Sequence, residues 1–149
     1  MDNCTPPLSA TSNAFINLNN VNEAPLMSAQ TFSIDENATN GTVVGTMTAT
    51  NPDQGQSIAY SIISGNTGSA FTINSASGII AVNNTSALNF ETTPVYTLVI
   101  QAIDNGTPAL SVSANAVINL NNINEAPLMS AQTFAINENA AFGTVVGTM

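Results

Sequence analysis

Five carboxylates mark the chain at the same kind of place: Glu36 in Ile34-Asp35-Glu36-Asn37, Asp53 in Asn51-Pro52-Asp53, Glu91 in Asn89-Phe90-Glu91, Asp104 in Ile103-Asp104-Asn105-Gly106, and Glu125 in Asn124-Glu125-Ala126-Pro127. Nearly every one stands at a boundary between a candidate strand and a loop, or in a linker segment. No side-chain cation answers them: among 149 residues there is no Lys, Arg or His, and the nine Asp and Glu leave a formal charge of −9. Any balancing positive charge must come from solution. This excludes nucleic-acid binding through Lys and Arg, lysine-dependent phosphate cradles, imidazole acid–base catalysis and histidine zinc sites. Asp35 and Glu36 imitate a catalytic carboxylate pair, but neighbours on a strand point to opposite faces. Cys4 is a lone thiol with no partner for a disulfide. The segment is not expected to be an enzyme.

The elements that position these carboxylates are strands. Gln30 to Ile34, Ile58 to Ile62, Tyr96 to Ala102 and Val112 to Leu120 alternate apolar or small residues with Ser, Thr, Asn and Gln, the period of half-buried antiparallel strands. Shorter candidates run from Thr42 to Thr50, Ala70 to Asn74 and Ile79 to Asn83. Turn chemistry separates them at Asn40-Gly41, Asn51 to Gly55, Ser64-Gly65-Asn66, Ser77-Gly78 and Asn105-Gly106. Gly, Pro, Asn and β-branched residues interrupt every window long enough for an ordinary helix. Seven strands with one buried face each predict two sheets face to face, with Phe32, Ile34, Val44, Tyr60, Ile62, Phe71, Ile73, Leu98, Ile100, Ile118 and Leu120 in the core. Without Trp or paired Cys, an antibody-type domain is disfavoured. No run reaches the roughly 18 apolar residues of a membrane span, and the first residues lack the basic start and apolar stretch of a signal peptide.

The chain repeats itself. Asp2-Asn3-Cys4-Thr5-Pro6 returns as Asp104-Asn105-Gly106-Thr107-Pro108, and Asn22 to Met27 returns as Asn124 to Met129, both at an offset of 102; residues 1–47 laid over 103–149 give 35 identities in 47 pairs. Such a period predicts a tandem array: residues 1–22 end one unit, 23–124 form a complete unit, and 125–149 begin the next. On this reading the chain is an excerpt of a longer protein. Six Asn-x-Ser/Thr sequons, at Asn3, Asn37, Asn40, Asn83, Asn84 and Asn105, are about what chance gives in so Asn-, Ser- and Thr-rich a chain.

The order E-N at Glu36, A-x-N-x-D ending at Asp53, L-N-x-E ending at Glu91, A-x-D-x-G around Asp104, then N-x-N-E-x-P closing on Glu125 resembles the cadherin repeat, with a linker close to the shorter form found in bacterial cadherin-domain proteins. The resemblance covers residues 23–127. It implies an all-β, seven-stranded Greek-key β-sandwich of cadherin/immunoglobulin-like type in tandem repeats, with calcium bound where successive repeats meet. Carried over, it assigns Asn20, Asn22, Glu23, Asn51, Asp53 and Asp104 to the site facing the preceding repeat. Glu36, Glu91, Asn122, Asn124 and Glu125, with Asn89 beside Glu91, face the following one. The physics agrees: like charges 4 Å apart repel by about 4 kcal/mol at an effective dielectric of 20, and calcium takes six to eight oxygens from carboxylates, amides and backbone. Asn20, Asn51, Asn89 and Asn122 stand where the family pattern has Asp, and each exchange removes a formal charge, so the expected sites are weak, on the order of 10⁻⁴–10⁻³ M or poorer.

The function this implies is a calcium-stiffened stalk or adhesive segment of a secreted or cell-surface protein. Its partners would be neighbouring repeats and another cadherin-like protein or surface ligand. The alternatives are a metal-independent spacer and a carbohydrate-binding sandwich, the latter requiring exposed aromatic platforms.

Overall fold

The structure, a computed structural model, describes Asn3, Thr5, Pro6 and residues 8–148. Asp2 and Cys4, used above in the repeat comparison and as the lone thiol, lie outside the described residues. Nine strands form: β1 Leu26–Met27, β2 Gln30–Asp35, β3 Val43–Thr46, β4 Ala49–Thr50, β5 Ile58–Ser64, β6 Phe71–Ile73, β7 Ile79–Val82, β8 Val95–Asp104 and β9 Ser111–Asn121. Each expected run contains a strand. The run from Thr42 to Thr50 divides in two because Met47 leaves the ladder, fully buried, and donates its N–H to the Gly78 carbonyl at 3.0 Å. The short β1 was not expected; it pairs antiparallel with β4 through Leu26↔Thr50 and Met27↔Ala49. Single 3-10 turns at Thr67–Ser69 and Thr85–Ala87 are the helical segments among the described residues, and no helix is long and apolar enough to cross a membrane.

Two sheets, β2-β9-β8-β5 and β3-β7-β6, carry the fold, with β1-β4 as a short ribbon. The chain crosses to the second sheet after β2, comes back by way of β4 to β5, crosses again after β5 and returns with β8, the Greek-key pattern. Alternation in β8 buries Tyr96, Leu98, Ile100 and Ala102. These join Ile34, Tyr60, Ala116, Ile118 and Leu120 of their own sheet against Phe71, Ile80 and Val82 of the other. The rings of Phe71 and Tyr96 meet edge to face, centroids 5.1 Å apart, and the Tyr60 hydroxyl accepts the Ala49 N–H at 2.9 Å. Phe32, Val44, Ile62 and Ile73, expected in the core, are half-buried and pack against it. Met47, Ala70 and Leu88 are buried although they lie outside the strands, where alternation gives no signal.

One expectation is corrected. β2 pairs with β9 in parallel, Gln30↔Ala116 through Asp35↔Asn121, not antiparallel. A tight turn forces antiparallel pairing only on the strands it joins, as for β8 and β9; β2 and β9 are the first and last long strands and share no turn. The direction decides where the carboxylates go. Because β2 and β9 run together, Asp35-Glu36 ends beside the departing linker Asn121-Asn122 at the C-terminal pole. There the start of β8 also lies, Val95 opposite Asn119. At the other pole, pairing of Ile58 with Asp104 sets the end of β8 beside the loop that holds Asp53.

The flanking segments keep the sequence of the complete unit without its strands. Residues 8–22, matching 110–124, form none. Residues 122–148 form none either, yet local features recur at the 102-residue offset. A Cβ on Gly147 would lie 2.0 Å from the Phe134 ring, as one on Gly45 would lie 2.3 Å from Phe32. Ala140 and Ala38 each donate to the carbonyl three residues back at 3.0 Å.

Candidate metal centre

At the C-terminal pole Glu36 is buried, 1% exposed. Its Oε2 accepts the Phe90 N–H at 2.7 Å and its Oε1 the Ile123 N–H at 2.8 Å. One carboxylate thus ties the loop before β8 to the departing linker. Those two N–H groups, that of Ile123 foremost, hold its carboxyl below the ordinary value because they stabilise the ionised form. Glu91 and Glu125 are exposed, and carboxylate oxygens of Glu36, Glu91 and Glu125 lie within 4.8 Å of one another. Partial loss of water, then the charges of Glu36 and Glu91, raise the Glu125 carboxyl above its usual range. Asn122 donates its Nδ2 to Glu91 Oε1 at 3.0 Å. Asn124 is exposed, and Asn89 spends its Oδ1 on the Thr92 N–H at 2.8 Å.

The N-terminal pole gathers Asn20, Asn22, Glu23, Asn51, Asp53 and Asp104 by a different means. Asp53 and Asp104 are buried. Asp53 takes the Asn20 Nδ2 at 2.5 Å and the Glu23 N–H at 2.8 Å; the Glu23 N–H first, then the Asn20 amide, lower its carboxyl. The Asp53 charge is the main cause that raises the exposed Glu23 carboxyl. Asp104 Oδ1 accepts the N–H groups of Gly106 at 3.0 Å and Leu110 at 2.9 Å, shaping the β8–β9 turn. Its Oδ2 accepts Asn22 Nδ2 at 3.2 Å, which also reaches the Pro108 carbonyl at 2.8 Å. Gln56 donates to Asn22 Oδ1 at 2.6 Å and accepts from Asn51 Nδ2 at 3.2 Å, while Asn51 Oδ1 caps the Asp53 N–H at 3.0 Å.

The two poles differ in chemistry. The three glutamates of the C-terminal pole converge with one member resisting ionisation; anionic oxygens so placed fit a hard divalent cation such as calcium. At the N-terminal pole the amides present N–H groups to the carboxylates rather than oxygens to an ion, so Asn20 and Asn22 would have to turn their amides over to serve as ligands. Among the described residues, a trio of metal-ligating side chains is present at the C-terminal pole. Gln56 was not foreseen: an uncharged residue following Gly55 carries no sequence signal. Nor was Gly106 as a contact, although a Cβ there would lie 1.9 Å from Asn22 Oδ1.

A family model described as "Cadherin domain" matches residues 30–121. Among curated proteins, mouse Protocadherin Fat 4 is 37% identical over 134 residues, covering 86% of this chain and 3% of that protein. The Drosophila melanogaster "Fat-like cadherin-related tumor suppressor homolog" is 36% identical over 140 residues, covering 90% and 3%. Among solved structures, the protocadherin gammaB7 EC3-6 cis-dimer superposes with a TM-score of 0.67 at 29% identity, covering 80% of this chain and 30% of that one. The human desmocollin-1 ectodomain gives 0.59 at 28% identity, covering 66% and 20%. The chain spans a small fraction of the length of each.

Proposed function

Since the chain belongs to the cadherin domain family, we propose that residues 23–124 act as one calcium-binding repeat in a tandem array on the outside of a cell, within an adhesive or stalk-forming protein. The observation that carries this is the meeting of Glu36, Glu91 and Glu125 within 4.8 Å at the pole from which the linker departs. Calcium there would take carboxylate oxygens from Glu36, Glu91 and Glu125, an oxygen of Asn122 after rotation of its amide, and an oxygen of Asn124; Asn51, Asp53 and Asp104 would serve the preceding boundary with Asn20, Asn22 and Glu23. The ion supplies positive charge that relieves the crowding of the glutamates and fixes the linker to the unit it leaves. Units joined in this way form a stiffened rod. Its partners are the neighbouring repeats and, as for the relative solved as a cis-dimer, another cadherin-like chain.

Calorimetric titration with calcium of a chain that carries two complete successive repeats, so that both halves of one boundary are present, tests the reading. The expected result is binding on the order of 10⁻⁴–10⁻³ M, abolished by Glu91→Gln with Glu125→Gln. No calcium-dependent heat and no change in the linker amide signals would overturn it. A metal-independent spacer is the second reading, favoured by the hydrogen-bonded carboxylates of Asp53 and Asp104 at the N-terminal pole. A carbohydrate platform has no support in the complete repeat, where Phe32, Tyr60, Phe71, Phe90 and Tyr96 all pack in or against the core.

A further inference from the structure

Linker asparagines Asn20 and Asn122 occupy the same position of successive linkers, 102 residues apart. Each donates its Nδ2 to a carboxylate, but of opposite neighbours: Asn20 to Asp53 of the unit it enters, Asn122 to Glu91 of the unit it leaves. In an array of whole repeats, the two protons of one such NH2 group would have an acid of each neighbour to bond. Two residues on, Asn22 bonds to Asp104 and Pro108, and Gln56 links it to Asn51, which caps Asp53. The path Asp104–Asn22–Gln56–Asn51–Asp53–Asn20 is continuous, each step a hydrogen bond of 2.5 to 3.2 Å.

The backbone is shaped to admit it. At Gly106 the three atoms nearest a would-be Cβ are Oδ1, Cγ and Nδ2 of Asn22, at 1.9, 2.3 and 2.5 Å. Any side chain at 106 would displace the amide. An amide N–H does for one carboxylate lone pair what a cation does, at shorter range and without net charge.

We propose that the linker asparagines are amide clasps that fasten the boundary to its repeats without a cation, and that Gln56 is the positioning residue of the N-terminal clasp. The inference depends on the proposed function for its site, since it concerns the same boundary, but not on calcium binding. It assigns the boundary a metal-free closed form: withdrawing the ion leaves the linker docked, and an arriving ion must turn the amides over. The Asn-for-Asp exchanges thereby trade calcium affinity for order without calcium.

The test is nuclear magnetic resonance on the whole 149-residue chain, following backbone order at residues 20–24 and exchange of the Glu23 N–H. In EDTA these residues should be as ordered as β8 and β9. Gln56→Ala, and Gln56→Glu, which keeps the acceptor but loses the donor, should speed Glu23 exchange about tenfold, the change expected from losing one or two net hydrogen bonds. Asn22→Asp should free the linker in EDTA and regain order when calcium is added. The β8 and β9 signals report that each variant is folded. Residues 20–24 as mobile in EDTA as Asn13 to Asn17, or Glu23 exchange unmoved by both Gln56 variants, would overturn the clasp. Failure of the calcium reading is visible separately, as Glu36, Glu91 and Glu125 signals that ignore calcium while residues 20–24 stay ordered.

Discussion

Gly106 and Asn22 form a lock whose energetics can be worked out. Asn22→Ala deletes hydrogen bonds of 3.2, 2.8 and 2.6 Å to Asp104, Pro108 and Gln56. At about 0.5 kcal/mol each, the low end suited to a half-exposed side chain, the loss is about 1.5 kcal/mol. Gly106→Ala places a methyl group 1.9 Å from Asn22 Oδ1, so it evicts the amide and forfeits the same bonds. Gly106 is not in the left-handed region, and alanine there also recovers about 0.4–1 kcal/mol by restricting the unfolded chain. The net cost of Gly106→Ala is then about 0.5–1 kcal/mol. In the Asn22→Ala background nothing remains to evict, so Gly106→Ala should turn stabilising by about 0.4–1 kcal/mol. The coupling of about 1.5 kcal/mol corresponds to roughly 6–12 °C in Tm for a unit of this size. Thermal melts of the four chains in EDTA measure it. A Gly106→Ala cost that is the same in both backgrounds would refute the steric reasoning.

The carboxyl of Glu36 is lowered in the folded state, so its contribution to stability is complete above the ordinary glutamate value and lost as pH falls through the lowered one. Melting points of Glu36→Gln should fall less steeply in acid than those of the parent, and equal slopes would contradict this. Glu125 is shifted the other way: as pH rises from the ordinary value through the raised one, its forced ionisation erodes stability. Glu125→Gln should therefore raise the melting point at neutral pH in EDTA while weakening the calcium response, and a lowered melting point would count against the crowding. Tyr96 donates its hydroxyl to the Ala87 carbonyl; Tyr96→Phe should cost about 1 kcal/mol, read as a lower urea midpoint at unchanged m.

Alternation made β8 and β9 legible, because long runs in which every second residue is buried leave one choice of inward face. It could not give direction: the same pattern in β2 serves parallel or antiparallel pairing, and only three-dimensional placement sets Glu36 beside Asn121-Asn122. Short elements escaped for a related reason. β1 has two residues, and Met47 and Leu88 are buried outside any period. At the boundary, residue types and spacing brought Glu36, Glu91 and Glu125 into consideration, along with Asp53 and Asp104. What they could not disclose was which end of an amide faces its neighbour. Asn carries a donor and an acceptor on one carbon, and a half-turn exchanges them, so Asn20 and Asn122 read equally well as ligands and as donors. Gln56 joins the network through the fold of its loop alone.

The parallel alignment of β2 with β9 also decides how the molecule bears load. The chain arrives ahead of β2 and departs after β9, so tension between its ends drags the two strands past one another along their length. All six pairs from Gln30↔Ala116 to Asp35↔Asn121 are strained together, in shear, instead of peeling open one at a time. Resistance to forced unfolding is a matter of rate rather than equilibrium, and simultaneous rupture raises that barrier.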